Sequence, residues 1–270
     1  MTMLMTADIL AAASGGLVGL VLGLIGGGGS IVALPLLVYA VGMPSVHLAI
    51  GTSALAVALN AAASLAAHAR AGTVRWPCAL VFAAAGIAGA FIGARAGKAV
   101  DGQKLLALFG LLMIGVGLNM LRSGAAEGDA SVRLSRANAA SMGPWLAGTG
   151  FVVGLLSGFF GIGGGFLIVP GLMLATGMPL PNAIGTSLVA VTAFGLTTAG
   201  SYAYAGLVDW RVAGFAIAGG VAGAVLGAMA SVKLGSSKRA LARIFATIVI
   251  LTGLYIVWRG APALQAGFGR

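Results

Sequence analysis

Two glycine clusters mark the places where this chain could do chemistry. The first is Gly26-Gly27-Gly28-Gly29-Ser30; the second runs from Gly161 through Gly163, Gly164 and Gly165. So many glycines cannot sustain a helix, because each costs about 1 kcal/mol relative to alanine. The break frees backbone amides and carbonyls, and the helix restarting after it turns its positive end toward the gap. Bare amides beside such a terminus hold an anion without any buried cation. The competing reading is a tight crossing of two helices. Neither cluster is a nucleotide loop, since no Lys-Ser/Thr pair follows and no strand precedes.

A second pair of motifs lies downstream: Gly51-Thr52-Ser53 and Gly185-Thr186-Ser187. Their hydroxyls can donate to a substrate oxygen or bond back to carbonyls one turn earlier. Asn60 is a polar residue in an apolar run and is a candidate cavity liner. The substrate-binding set predicted is therefore the two breaks, Thr52, Ser53, Asn60, Thr186 and Ser187. His68, Arg70 and Arg75, and in the second half Tyr202, Tyr204, Asp209 and Arg211, sit near helix ends. They read as interface anchors or as anion-gathering groups. The single cysteine, Cys78, excludes an internal disulfide and a multi-cysteine metal site. No catalytic constellation, metal site or cofactor is expected. The runs taken as spans carry no carboxylate, so the usual proton-coupling relay is not expected either.

The elements that must position these residues are membrane helices. Of 270 residues, 60% are hydrophobic and only 7% charged, against about 25% charged in a soluble domain. No Asp, Glu, Lys or Arg lies between Asp8 and Arg70, or between Arg136 and Asp209. Lipid is then the outer solvent, and helices satisfy their own backbone groups within it. Met1–Leu10 lacks Lys and Arg, so a cleaved secretory signal is not expected. The net charge of +10 comes from cations dispersed among short loops. They suit anionic lipid headgroups; nucleic acid is not an expected partner.

The chain is duplicated. Gly15, Gly19 and Gly23, the first break, Pro35, Gly42-Met43-Pro44, the first Gly-Thr-Ser, Gly72 and Trp76 recur in order. Their counterparts are Gly150, Gly154 and Gly158, the second break, Pro170, Gly177-Met178-Pro179, the second Gly-Thr-Ser, Gly206 and Trp210. The four-residue glycine spacings are small-residue packing faces. The fold expected is an all-α integral membrane protein of about eight helices in two four-helix repeats, each with a glycine-broken first helix. Residues 9–122 form repeat 1, 123–143 a polar linker, and 144–259 repeat 2. The densest basic loops, Arg95–Lys104 and Lys233–Arg243, occupy matching places. The positive-inside rule puts both on one side, favouring parallel repeats. Inverted repeats follow instead if each broken helix doubles back.

The duplicated Gly-x-Gly-Gly-[Ser/Gly], Pro, Gly-Met-Pro and Ile-Gly-Thr-Ser series resembles the TauE/SafE sulfite exporter family of membrane permeases, from about Gly15 to Trp258. That resemblance implies a multi-pass inner-membrane protein moving small sulfur-containing anions, sulfite or organosulfonates. Both breaks and both triplets would enclose one central site, with access alternating as one unit rocks against the other. The membrane potential would drive export. An anion channel or a non-transporting subunit are the alternatives; an enzyme is not expected. A small anion, the bilayer and further copies of the chain are the candidate partners.

Overall fold

A computed structural model describes residues 2–25, 29–122, 139–161, 165–233 and 246–259, which are helical apart from short connections. In chain order the helices are α1 (Thr2–Ile25), α2 (Ser30–Ala40), α3 (Val46–Arg70), α4 (Trp76–Lys98) and α5 (Gly102–Arg122). The second half repeats the series as α6 (Ala139–Phe160), α7 (Gly165–Thr176), α8 (Leu180–Tyr204), α9 (Trp210–Lys233) and α10 (Ala246–Arg259). Seven of these are long and apolar enough to span a bilayer, and the shorter α2, α7 and α10 are apolar too. This is the all-α membrane architecture expected, with the first helix of each repeat in two pieces. Helix α6 begins at Ala139, inside the stretch read from sequence as the linker.

Sequence explains the boundaries. Pro77 and Pro181 sit in the first turns of α4 and α8, where a missing N–H costs nothing. Asp101 Oδ1 accepts from the amides of Gln103 and Lys104, and Asp209 Oδ1 accepts from those of Arg211 and Val212. Each carboxylate caps the helix that follows it. In α2 the backbone widens into a π turn over Leu36–Ala40, directly after Pro35. Proline supplies no amide there, so the ladder is re-formed at longer range.

The repeats are inverted, correcting the parallel arrangement drawn from the charge pattern. Gly51, near the start of α3, packs on Tyr202 and Leu207 at the end of α8. Gly185, near the start of α8, packs on Thr73 just beyond α3. The two equivalent helices therefore run antiparallel. The broken helices explain why. Gly29 lies against Val18 and Leu22, and Gly171 against Val153, so α2 and α7 each turn back along the helix before them. Each repeat then makes an odd number of passes, and its successor begins on the opposite side. Helix α4 ends at Lys98 and its antiparallel counterpart α9 at Lys233, so the two helix ends that precede the basic stretches lie at opposite faces.

The repeats also interlock. The most extensive pairings join α1 to α9 and α4 to α6, each across the repeat boundary. Both are parallel glycine seams. A Cβ at Gly15, Gly19 or Gly23 would strike the backbone of Ala216, Gly220 or Ala224; one at Gly150, Gly154 or Gly158 would strike Phe82, Gly86 or Ala90. Lipid tails give helices no hydrophobic reason to associate, so close backbone approach must do it. Asp8 falls within α1, one residue before the sequence-based span, and its carboxylate takes a bidentate pair from Arg211 at 2.7 and 3.1 Å. Because Arg211 is half exposed, Asp8→Asn should lower stability by no more than ~1 kcal/mol. A double-mutant cycle with Arg211→Gln should give a coupling within that bound, and a larger one would overturn the surface-pair reading.

Candidate functional site: a small cavity at the repeat interface

Halfway along α1 and α3, a small cavity lies where α1, α2 and α3 of the first repeat meet α9 of the second. Ser14, Val18, Leu37, Ser53, Asn60 and Ala216 are among the residues that line it. Its volume is ≈ 10 Å³, about enough for one water. The larger groove between α6 and α7, lined by Trp145, Val152 and Leu174, is apolar and opens sideways toward lipid. Its chemistry does not suit an anion.

Asn60 is the distinctive group in the cavity wall. It is fully buried, and neither its Nδ2 nor its Oδ1 has a hydrogen-bond partner. Its amide packs against Gly220, where an added Cβ would collide with it. An unpartnered amide in a buried setting is costly, and few native groups are left so. Ser53, whose Oγ donates to Ile50 O at 3.0 Å, also lines the cavity. Ser14, 8% exposed, was not among the residues singled out from sequence. Its position directly before the glycine seam, matched by Thr149 before Gly150, was the available signal.

The Gly-Thr-Ser triplets do not converge. Thr52 Oγ1 accepts from the amide of Asp209 at 2.9 Å, and Thr186 Oγ1 accepts from the amide of Arg75 at 3.0 Å. Each threonine thus clasps the loop that starts a long helix of the other repeat. Thr52 also donates to Leu48 O, and Ser187 donates to Ile184 O. Since α3 and α8 are antiparallel, the two triplets sit at opposite ends of the pair. Thr52→Val and Thr186→Val should each cost about 1 kcal/mol. Thermal unfolding of the two variants should be shifted alike; a difference well beyond that would break the two-fold account.

The breaks are placed in part. Gly29, Ser30 and Gly165 are buried. Gly161 has a φ of 68°, a left-handed conformation natural to glycine, and packs on Ile50 of α3. One break therefore sits beside the triplet of the other repeat. Gly26, Gly27, Gly28, Gly163 and Gly164 lie outside the described residues. Tyr202 and Asp209 lie at the opposite face from His68 and Arg75. His68 Nδ1 is bonded to Thr73 Oγ1 at 3.1 Å, and Lys98 Nζ donates to Ser201 O and Oγ at 2.8 and 2.9 Å. Among the described residues, no three His, Cys, Asp or Glu side chains group to hold a metal.

The model of the sulfite exporter TauE/SafE family matches residues 11–256. The chain belongs to the TauE/SafE sulfite exporter family. Within it, a probable membrane transporter protein of Xylella fastidiosa is 50% identical over 258 residues, covering 96% of this chain and 98% of the relative. The probable membrane transporter protein YunE of Bacillus subtilis is 30% identical over 257 residues, covering 88% and 92%. No solved structure matches the chain. Family membership makes this a multi-pass membrane transporter, and the matched stretch contains the cavity, both breaks and both glycine seams.

Proposed function

We propose that this TauE/SafE protein exports small sulfur-containing oxyanions, sulfite or organosulfonates, across the cell inner membrane by alternating access between its inverted repeats. The observation that carries the reading is the small cavity at middle depth on the repeat interface, where Ser14, Ser53 and Asn60 stand among apolar residues and no charged group lines the wall. Oxyanions accept hydrogen bonds on every oxygen, and such donors suit them. Transporters of inverted design place their sites at this depth and interface. A space of one water cannot hold sulfite, so entry requires the helices to part. The glycine seams allow sliding, because no side chain interdigitates across them. With no carboxylate relay at the cavity, the membrane potential supplies the drive, about 2.3 kcal/mol per charge per 100 mV.

The protein acts as a transporter and not as an enzyme. Ser53 and His68 share α3 but stand roughly 22 Å apart at about 1.5 Å per residue, too far for a serine–histidine pair.

Reconstituted protein should release trapped sulfite or a small sulfonate saturably, and faster when the vesicle interior is negative. Conductance without saturation would make it a channel. If folded protein moved neither class under any potential or ion gradient, the sulfur-anion reading would fall.

A further inference from the structure

The two halves of the molecule differ at one place that the two-fold relation makes easy to see. Asn60 follows Ser53 by seven residues, and Phe194 follows Ser187 by seven. Asn60 lies on Gly220, and Phe194 lies on Gly86, each glycine ten residues past its tryptophan. Ala216 lines the cavity six residues past Trp210, and its equivalent six residues past Trp76 is Phe82. Phe82 and Phe194 are fully buried and stack with ring centroids 6.1 Å apart, 21° from parallel. Where one of the two equivalent places keeps Asn60 and Ala216 beside a void, the other is filled by the rings of Phe194 from repeat 2 and Phe82 from repeat 1. The copies have diverged at two of the positions that line the cavity.

Resting on the transport reading, we propose that the oxyanion is held in this half only, its oxygens accepting from the Asn60 amide and the Ser14 and Ser53 hydroxyls, while the Phe82–Phe194 stack plugs the equivalent position. Asn60 is fully buried, lines the cavity and has both of its polar atoms unpartnered, as a group reserved for a ligand would be. Ser187 and Ser53 both donate to the carbonyl three residues earlier, at 2.7 and 3.0 Å; Ser53 lines this cavity and Ser187 does not, and Ser53 gives up its Ile50 bond to donate to the anion. One anion binds per chain, and its donors belong to α1 and α3 of repeat 1. The moving partner is α9 of repeat 2, whose Gly220 supports the amide.

The near-isosteric pair Ser53→Cys and Ser187→Cys, each in a Cys78→Ala background, tests this in reconstituted vesicles. The probe is 2-sulfonatoethyl methanethiosulfonate, a small sulfonate that reacts with thiols. The Ser53→Cys thiol should label at least about tenfold faster than the Ser187→Cys thiol, and sulfite should slow it. Equal rates, faster labelling at position 187, or no labelling at position 53 would overturn the proposal. In parallel, Asn60→Leu should reduce sulfite efflux about tenfold or more, and Asn60→Ser should recover part of it; full efflux by the leucine variant would overturn the assignment of the amide. If the unmodified protein moves neither sulfite nor sulfonate, the transport reading fails, and the labelling ratio still decides whether one half or both admit an anion.

Discussion

Gly19→Ala is expected to unfold the protein or to leave it at least ~3 kcal/mol less stable, whereas Gly148→Ala should be neutral or stabilising. An added Cβ at Gly19 would collide with the carbonyl of Gly220 and stand 2.9 Å from the amide of Ala224. Both obstacles are backbone, so no side chain can turn aside, and α1 must move off α9. Overpacking costs about 1–3 kcal/mol where side chains yield and more where they cannot. Lifting α1 also loosens the neighbouring contacts of Gly15 and Gly23, which lie on the same seam. Against this stands the helix-propensity gain of alanine over glycine, about 1 kcal/mol. Gly148, in α6, has nothing within 4 Å of its added Cβ, so there the propensity gain acts alone. Thermal unfolding in mild detergent, read by the monodisperse fraction surviving each temperature, separates the two. Similar curves would mean that the seam is not a close backbone contact.

Asn60→Leu should move stability and transport in opposite directions. The amide is fully buried with both polar atoms unpartnered, a condition that costs about 1–3 kcal/mol. Leucine removes that penalty and fills part of the cavity, so the variant should be at least ~1 kcal/mol more stable. The same change deletes a donor that would meet a charged substrate, and such a bond contributes about 1.5–3 kcal/mol. That corresponds to roughly ten- to hundredfold in affinity. A residue whose loss strengthens the fold and weakens transport is held for function. The idea is sunk if the variant is destabilised and transports normally, because Asn60 would then be ordinary packing.

The sequence determined the membrane fold, the duplication and the seams, because each rests on local composition. Uncharged runs of span length leave a helix no solvent but lipid. Runs of glycine break a helix whatever surrounds them. Glycines spaced by four share one face, and in lipid such a face can only pack. Asn60 was legible as a candidate cavity liner for a similar reason: an amide in an apolar run must find either a partner or a purpose. The direction of the repeats was not legible. It depends on whether α2 and α7 turn back, and that is settled by Gly29 against Val18 and Leu22 and by Gly171 against Val153, contacts between neighbours that a charge count does not register. The fate of the triplets was likewise tertiary. Identical Gly-Thr-Ser motifs suggested one shared site, but antiparallel packing of α3 and α8 puts them at opposite ends, each holding a loop of the other repeat. The asymmetry of the cavity also waited for the structure. Phe82 and Phe194 are unremarkable in an apolar sequence, and only the two-fold relation sets their rings where the other half keeps Ala216 and Asn60. Sequence periodicity fixes what a helix is made of; which helix it meets, and in which direction, is decided by packing between distant parts of the chain.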